Sequence, residues 1–419
     1  MTMPFHIYLD LEVRNDDTVA TGRTPPPLSF EETRTQPFLD GDASEYFCTI
    51  ARFTLQTGNS LPVFIPAIDT SQIPPPPDVV FTVLPQNQTI YKISFWEEPP
   101  QTPDDTRTYR YFFQRNVVYV PTDRTQPLPA PPYGKQDLSS EYYYVRSYYD
   151  FIDMINTTLS ELYDLLPGSA SSLHFNPPFM DWDSTNCTAT LHADSWFFDL
   201  NRDKNTTTRG VVGRPRKFEI YFDARLFQLL STLNATYVGT STTDQGRFYS
   251  GLDYRLDVFG NASNTVSLNG RKDAQGLELF NIDLTQGIST IAAWNPIESI
   301  IFTSTSLPIH PALSSAPKVI SAGELSTMGS GTPNLANILT DFQIAVSPTN
   351  QYRPEISYTP LGEYRLIDMF SNRNLSRVDL QVYWRDKRGG LHPILLYPGC
   401  SASVKLLFRH KGFYLGMDM

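Results

Sequence analysis

A run of alternating residues near one end of the chain leaves little choice in the kind of fold it joins. Between Leu375 and Arg409, Val378, Leu380, Val382 and Trp384 fall on one side of a period of two, and Asp379, Gln381, Tyr383 and Arg385 on the other. Successive side chains of a strand point to opposite faces, so this is a strand with one face buried. Asp386–Gly390, with two glycines, supplies the positive φ that a hairpin turn needs. Leu391–Tyr397 is a second apolar run, and Pro398-Gly399 turns the chain again. Ala402, Val404, Leu406 and Phe408 then alternate with Ser403, Lys405, Leu407 and Arg409. Three short strands with tight turns between them predict one antiparallel sheet. No turn carries a catalytic group, so the segment reads as scaffold.

Composition extends that reading. The chain has 419 residues, and its 34 prolines and 13% aromatic content favour short strands joined by ordered loops over helical bundles. Two domains are expected at this length for an all-β architecture. Charged residues make up 18%, against about a quarter in ordinary soluble domains. That leaves neutral surface for partners to cover. A net charge of −11 argues against a nucleic-acid binder, which displaces counterions with Lys and Arg. Cys48, Cys187 and Cys400 are odd in number and far apart. They form no disulfide framework and no CxxC pair, which fits a reducing compartment. Met1–Arg14 lacks the pattern of a signal peptide, and no apolar run approaches the ~20 residues of a membrane span. The sequons at Asn87, Asn205 and Asn374 then read as products of an Asn- and Thr-rich chain.

Met1–Pro37 is polar and proline-rich but carries Phe5, Ile7, Tyr8, Leu9 and Val13. It reads as an N-terminal arm, either free or docked on a neighbour. Strands are expected at Tyr46–Leu55, Thr89–Trp96, Tyr109–Val120, Phe218–Phe222, Ser299–Ile309 and Ile338–Val346, with a hairpin at Cys187–Ala193. One long helix is expected where Tyr144, Tyr148, Ile152, Ile155, Leu159, Leu162 and Leu166 make a single apolar stripe, capped by Ser139 or Ser140 and stopped by Pro167-Gly168. A second, short helix starts from a cap at Asp223. The stripe is the pattern of packing, not of a ligand box.

The search for reactive groups returns little. The six histidines, His6, His174, His192, His310, His392 and His410, show no metal-ligand spacing. Asp181-Trp182-Asp183 and Asp194–Asp199, with Trp196, set carboxylates beside tryptophans, as a glycosidase or carbohydrate-binding β-sandwich does. Hairpin-end carboxylates and core tryptophans are the preferred reading of the same residues. Arg209–Lys217 is the one local basic cluster and reads as a solvated loop or one that faces an acidic neighbour. Leu256-Asp257-Val258 matches a three-residue integrin-type motif inside an alternating strand, and no RGD occurs. No catalytic, cofactor-binding or metal-binding residue is therefore assigned.

Several segments resemble penton-type (vertex) capsid proteins of Polinton-like, adintovirus-like and virophage-type double-stranded DNA viruses, and more distantly adenovirus penton bases. They are Arg34–Phe53, Ser299–Ile309, Ile338–Phe342, Glu363–Phe370 with Val378–Asp386, and Gly399–Phe408. The resemblance implies a mainly β fold: a single jelly roll built from both chain ends (38–125 and 290–412), with a mixed α/β upper domain inserted at 126–289 and an arm at 1–37. It implies a structural subunit without catalysis, forming a homopentamer at icosahedral vertices of the virion capsid. The implied partners are identical copies, the neighbouring major capsid protein, and a host receptor met through the inserted domain. No specific nucleic acid and no membrane span are implied. A double jelly-roll major capsid protein forming trimers, and the carbohydrate-binding sandwich, stand as alternatives.

Overall fold

The computed structural model describes residues 6–16, 26–39, 41–56, 88–97, 112–119, 147–165, 177–194, 218–239, 241–244, 247–250, 252–256, 265–272, 278–311, 319–321, 324–326, 337–343, 355–360, 365–387, 390–396 and 398–414. It is mainly β, with antiparallel sheets and few helices. In chain order the strands are β1 (His6–Arg14), β2 (Ser29–Thr33), β3 (Tyr46–Gln56), β4 (Gln88–Glu97), β5 (Phe112–Val118), β6 (Phe179–Asp183), β7 (Thr188–Asp194), β8 (Phe218–Phe222), β9 (Ala235–Tyr237), β10 (Ser241–Asp244), β11 (Arg247–Ser250), β12 (Tyr254–Leu256), β13 (Thr265–Lys272) and β14 (Glu278–Thr285). They continue as β15 (Ile297–Thr303), β16 (Val319–Ser321), β17 (Glu324–Ser326), β18 (Ile338–Phe342), β19 (Glu355–Tyr358), β20 (Ile367–Asp368), β21 (Arg377–Asp386), β22 (Leu391–Pro393) and β23 (Ser401–His410). The long helix is α1 (Tyr148–Asp164).

The chain divides into two compact units. The first comprises Met1–Pro62, Pro296–Ala345 and Tyr352–Met419; the second comprises Val63–Asn295 and Val346–Gln351. In the first unit one sheet has the order β1-β23-β3-β19, with β20 also on β3. The other has the order β18-β15-β21-β2, with β22 also on β21. Phe53 of β3 meets Phe302 of β15 edge-on at 4.9 Å, so the inner faces of the two sheets touch. Phe342 of β18 stacks on Tyr358 of β19 at 4.3 Å and closes one flank. The inward faces are those the alternation marks. Val378, Leu380, Val382 and Trp384 are at most 1% exposed, and Ala402, Val404, Leu406 and Phe408 at most 2%. Each Val, Leu and Phe among them contributes about 1.5–3 kcal/mol by leaving water.

Two expectations for this unit need correction. The closing segment is not one three-stranded sheet. β22 pairs with β21, but β23 lies in the facing sheet, between β1 and β3. The buried Ile394 and Leu396 carry the chain across, and Gly399, at φ +78°, turns it. Period-two patterning fixes which face of a strand is buried, not which sheet the strand joins. Nor is 1–37 an arm. Ile7, Leu9, Leu11 and Val13 form their own alternation, and β1 pairs with β23 from His6↔Arg409 to Arg14↔Ser401. β2 pairs with β21. Beyond β1, Asn15 donates from its backbone to Cys400 O (3.0 Å) and from Nδ2 to Leu396 O (2.8 Å).

Asp379 falls on the outward side of β21, yet it is buried. Ser304 Oγ (3.0 Å) and the Ser306 backbone N–H (2.7 Å) donate to its Oδ1, and Thr305 Oγ1 (2.6 Å) to its Oδ2. Its own N–H donates to Ser306 Oγ at 2.8 Å. One carboxylate thus orders the whole turn that follows β15. Burial acts to raise its pKa, but the bonds from Ser306, Thr305 and Ser304 overcome that and hold it at about 2.

In the second unit, β4 and β5, expected in the barrel, instead belong to the sheet β5-β4-β8-β12-β9, because β4 pairs with β8. A second sheet runs β13-β14-β7-β6. α1 packs against β5 and β6, burying Phe151, Ile152, Ile155, Leu159 and Leu162. Ser147 caps it, its Oγ accepting from Tyr149 N at 3.1 Å; Ser139 and Ser140 lie outside the described residues. Asn156, on the polar side of α1, closes the free edge of β6. It accepts from Met180 N at 2.6 Å and donates to Met180 O at 2.8 Å. The short helix Ala224–Leu229 starts at the expected cap, Asp223. Residues 291–294, placed by the sequence in the barrel, form a short helix whose Ile291 and Trp294 join the second unit's core.

Two outcomes follow. Asp379→Asn lowers the stability of the first unit by about 2 kcal/mol, the worth of the depressed pKa. Because the folded pKa lies below the unfolded one, that contribution is complete above about pH 4 and is lost as pH falls towards 2; urea melts of wild type and variant across that range test it. Removal of residues 1–16 strips the edge strand from β23 and yields aggregated first unit, whereas loss of a mere arm leaves a soluble, folded chain by circular dichroism and light scattering.

Candidate functional site

The residues with the most suggestive chemistry are held by the fold in other tasks. Trp182 is in the core, 8% exposed, with its ring 5.2 Å from Trp294 and 5.5 Å from Tyr148. Asp183 closes the β6–β7 turn: it accepts from Thr185 N (2.8 Å), Asn186 N (3.2 Å) and Asn186 Nδ2 (2.6 Å). The Asn186 side-chain bond, then those backbone bonds, hold its pKa below the ordinary carboxylate value. Asp181 accepts from the N–H of Trp182 at 2.8 Å. Trp196 and Asp199 lie outside the described residues, as do His174, the basic cluster Arg209–Lys217, and Asp257 and Val258 of the integrin-type motif. Leu256 of that motif is a buried strand residue, 2% exposed.

The described histidines are dispersed and each meets a local neighbour. His192 Nδ1 is 2.7 Å from Asp283 Oδ1, with the ring stacked on Phe179. His392 Nε2 is 3.0 Å from Asp386 Oδ2, with the ring stacked on Trp384. His310 stacks on Phe370, and His410 meets Tyr46 edge-on. Among the described residues no group of three or more His, Cys, Asp or Glu converges as a metal site. The three cysteines are buried, and no disulfide joins them. Burial pushes the Cys48 thiol up to about 12, which makes it a poor nucleophile.

The surface is more informative. In the first unit, both breaks where the rest of the chain leaves and returns, after Gln56 and before Ile297, fall at one end of the sandwich. At that end Gln56 pairs with Glu355, Arg14 with Ser401 and Ile297 with Asp386. The opposite end carries His6, Tyr46 and His410. There Lys411 Nζ donates to Ser44 O (2.7 Å) and Met369 O (3.3 Å), and pairs with Asp368 (2.9 Å). Beside this pin Phe370 is 52% exposed, and on the outer face of β1 Tyr8 is 55% exposed. Sequence reading did not single out Phe370. Its signal is only an aromatic that follows the buried Met369.

The described residues therefore build a mainly β protein whose described tryptophans pack, whose carboxylates order turns and whose histidines stand apart. Comparison with known proteins gives this class its setting, the capsid of a virus. The chain belongs to the family of the Sputnik minor capsid protein V18/19, whose model matches residues 7–410. It is 28% identical over 224 residues to structural protein V19 of Sputnik virophage, covering 52% of this chain and 94% of that protein. It is 30% identical over 142 residues to the uncharacterized protein V18 of the same virophage, covering 33% and 72%. A chain in the cryo-EM structure of the Sputnik virophage superposes with a TM-score of 0.66 at 26% identity, over 98% of this chain and 99% of the other. The mavirus penton protein shares the fold, with a TM-score of 0.55 at 15% identity over 96% and 99%. The chain is a structural component of the virion capsid with a penton-like fold, not an enzyme.

Trp182→Ala removes the centre of an aromatic cluster and costs about 3–5 kcal/mol. The variant loses the second unit's folded signal in near-ultraviolet circular dichroism. A surface sugar platform would instead lose binding and keep that signal.

Proposed function

We propose that the chain is the pentameric penton subunit of an icosahedral capsid, with the first unit a single jelly roll and the middle of the chain an inserted domain. The observation that carries the reading is strand order. The eight main strands of the first unit, taken as B to I along the chain, are β1, β2, β3, β15, β18, β19, β21 and β23. Their sheets then read B-I-D-G and C-H-E-F. Two four-stranded antiparallel sheets with this interleaving are the double Greek key of a jelly roll. The insertion occupies the connection between the third and fourth of these strands, so both chain ends contribute to one barrel. Likeness of fold to the mavirus penton protein over nearly the whole chain supports the vertex position.

The second unit does not repeat that order. Its sheets run β5-β4-β8-β12-β9 and β13-β14-β7-β6, with α1 packed on them. This favours one jelly roll with an insertion over the two barrels of a trimeric major capsid protein. In the proposed setting the partners are identical copies around the fivefold axis and the neighbouring major capsid protein, and the inserted domain is the part offered to a host receptor. A ring requires a heterologous interface whose rotation closes, and obligate interfaces of this kind bury on the order of 2,000 Å² or more. Native mass spectrometry and negative-stain microscopy of the purified protein are expected to give rings of five. Threefold particles, or a monomer that persists at high concentration, sink the proposal.

A further inference from the structure

Two aspartates of the second unit serve neither a surface nor a turn of the first. Asp223 and Asp253 are 6% and 5% exposed. Asp223, at the end of β8, uses its Oδ1 to accept from Leu226 N and from Lys92 N, both at 3.0 Å. Asp253, just before β12, uses its Oδ2 to accept from Ala224 N at 2.7 Å. The two carboxylates therefore bracket the first turn of the helix Ala224–Leu229 from two different elements. β12 and β8 are themselves paired, Tyr254 against Phe222. Asp253 Oδ1 is buried and has no hydrogen-bond partner. A buried, unmet carboxylate oxygen is costly, and a second acid close by makes it more so.

The surrounding charges do not answer that need. On the helix itself Arg225 attracts Asp223. From β4, Lys92 supplies its backbone N–H. On β8 and β12, Glu219 and Arg255 are paired with each other at 3.4 Å. From the segment after β9, Val238 donates to the backbone carbonyl of Asp253 rather than to its side chain. Burial raises the Asp223 pKa, and the charge of Asp253 adds to that; the bonds from Lys92 and Leu226 and the attraction of Arg225 only partly offset them.

We propose that Asp223 and Asp253 form a proton-binding site: on acidification Asp223 takes up a proton, donates it as a hydrogen bond to the unmet Oδ1 of Asp253, and so tightens the junction of the helix Ala224–Leu229 with β8 and β12. A proton suits this place better than a metal ion. Calcium takes six to eight oxygens and magnesium a near-ideal octahedron that keeps several waters. Here each carboxylate already spends one oxygen on backbone N–H groups, and no third acidic, His or Cys side chain joins them among the described residues. The sign follows from linkage. A carboxyl whose pKa is raised on folding adds stability as pH falls from above that pKa towards the unfolded value near 4, and loses it as pH rises.

The test is hydrogen exchange read by mass spectrometry on the full chain, following peptides across residues 218–256 between about pH 7.5 and about pH 4.5, with rates corrected for intrinsic exchange. In the wild type, protection of these peptides rises as pH is lowered, by up to about tenfold per pH unit, the limit for one proton. Asp223→Asn and Asp253→Asn are nearly isosteric, and asparagine still caps and also donates. Both variants are expected to show no such rise and to be at least as protected as wild type near pH 7.5. A wild type with flat protection, or variants that keep the wild-type slope, overturns the proposal. So does protection that climbs with millimolar calcium or magnesium at neutral pH and is abolished by Asp253→Asn, which assigns the place to a metal.

Discussion

The first unit rests on the pairing of β1 with β23, strands from opposite ends of the described chain. Nine residues of β1 lie in continuous antiparallel register along β23, and β23 in turn lies against β3. That arrangement makes the unit a single body although its sequence is interrupted by a long insertion. The inward apolar rows of β23 and β21 are complete only when the sheet with β1 faces the sheet with β2. The clasp of Asn15 on Leu396 and Cys400 then sets where the chain leaves the sheet. Penton-like architecture follows from this closure more than from any one side chain.

Much of this was legible in the sequence because burial writes itself as periodicity. Val378 to Trp384, Ala402 to Phe408 and the α1 stripe each mark a face that turns out to be buried. The helix start at Asp223 was legible for a different reason, since a carboxylate before an apolar turn satisfies free N–H groups. Partnership between strands was not legible. Alternation in β23 is equally consistent with either sheet, and β4 looks the same whether it joins the first unit or pairs with β8. The short apolar period of β1 was masked by the polar, proline-rich residues after it. Asp379 was read as an outward residue, because nothing local shows that Ser304 to Ser306 come back to it from a distant segment. The likeness to capsid proteins came from strand-sized segments at both chain ends, which is where the family model begins and ends.

Buried acids behave in opposite ways in the two units. Asp379 is surrounded by donors and is most at ease as a carboxylate. Asp223 sits beside another acid whose second oxygen meets no donor, and burial raises its pKa. The difference lies in the balance of N–H and O–H groups around each carboxyl, since both are buried. Falling pH therefore bears on the two carboxyls in opposite senses.

The order of strands along the chain also dictates an order in time. A ribosome makes β1 well before its partner β23, with the described strands of the second unit made in between. Until β23 is made, β1 and β3 lack it to lie against, and their edges are open to any other nascent strand. The second unit carries all of its described strands and α1 within one stretch, so it has everything needed to collapse while synthesis continues. The two facing sheets of the first unit are therefore completed only once β23 has been made. A cell filling with these chains faces its greatest risk of misassociation in the interval before that last strand arrives.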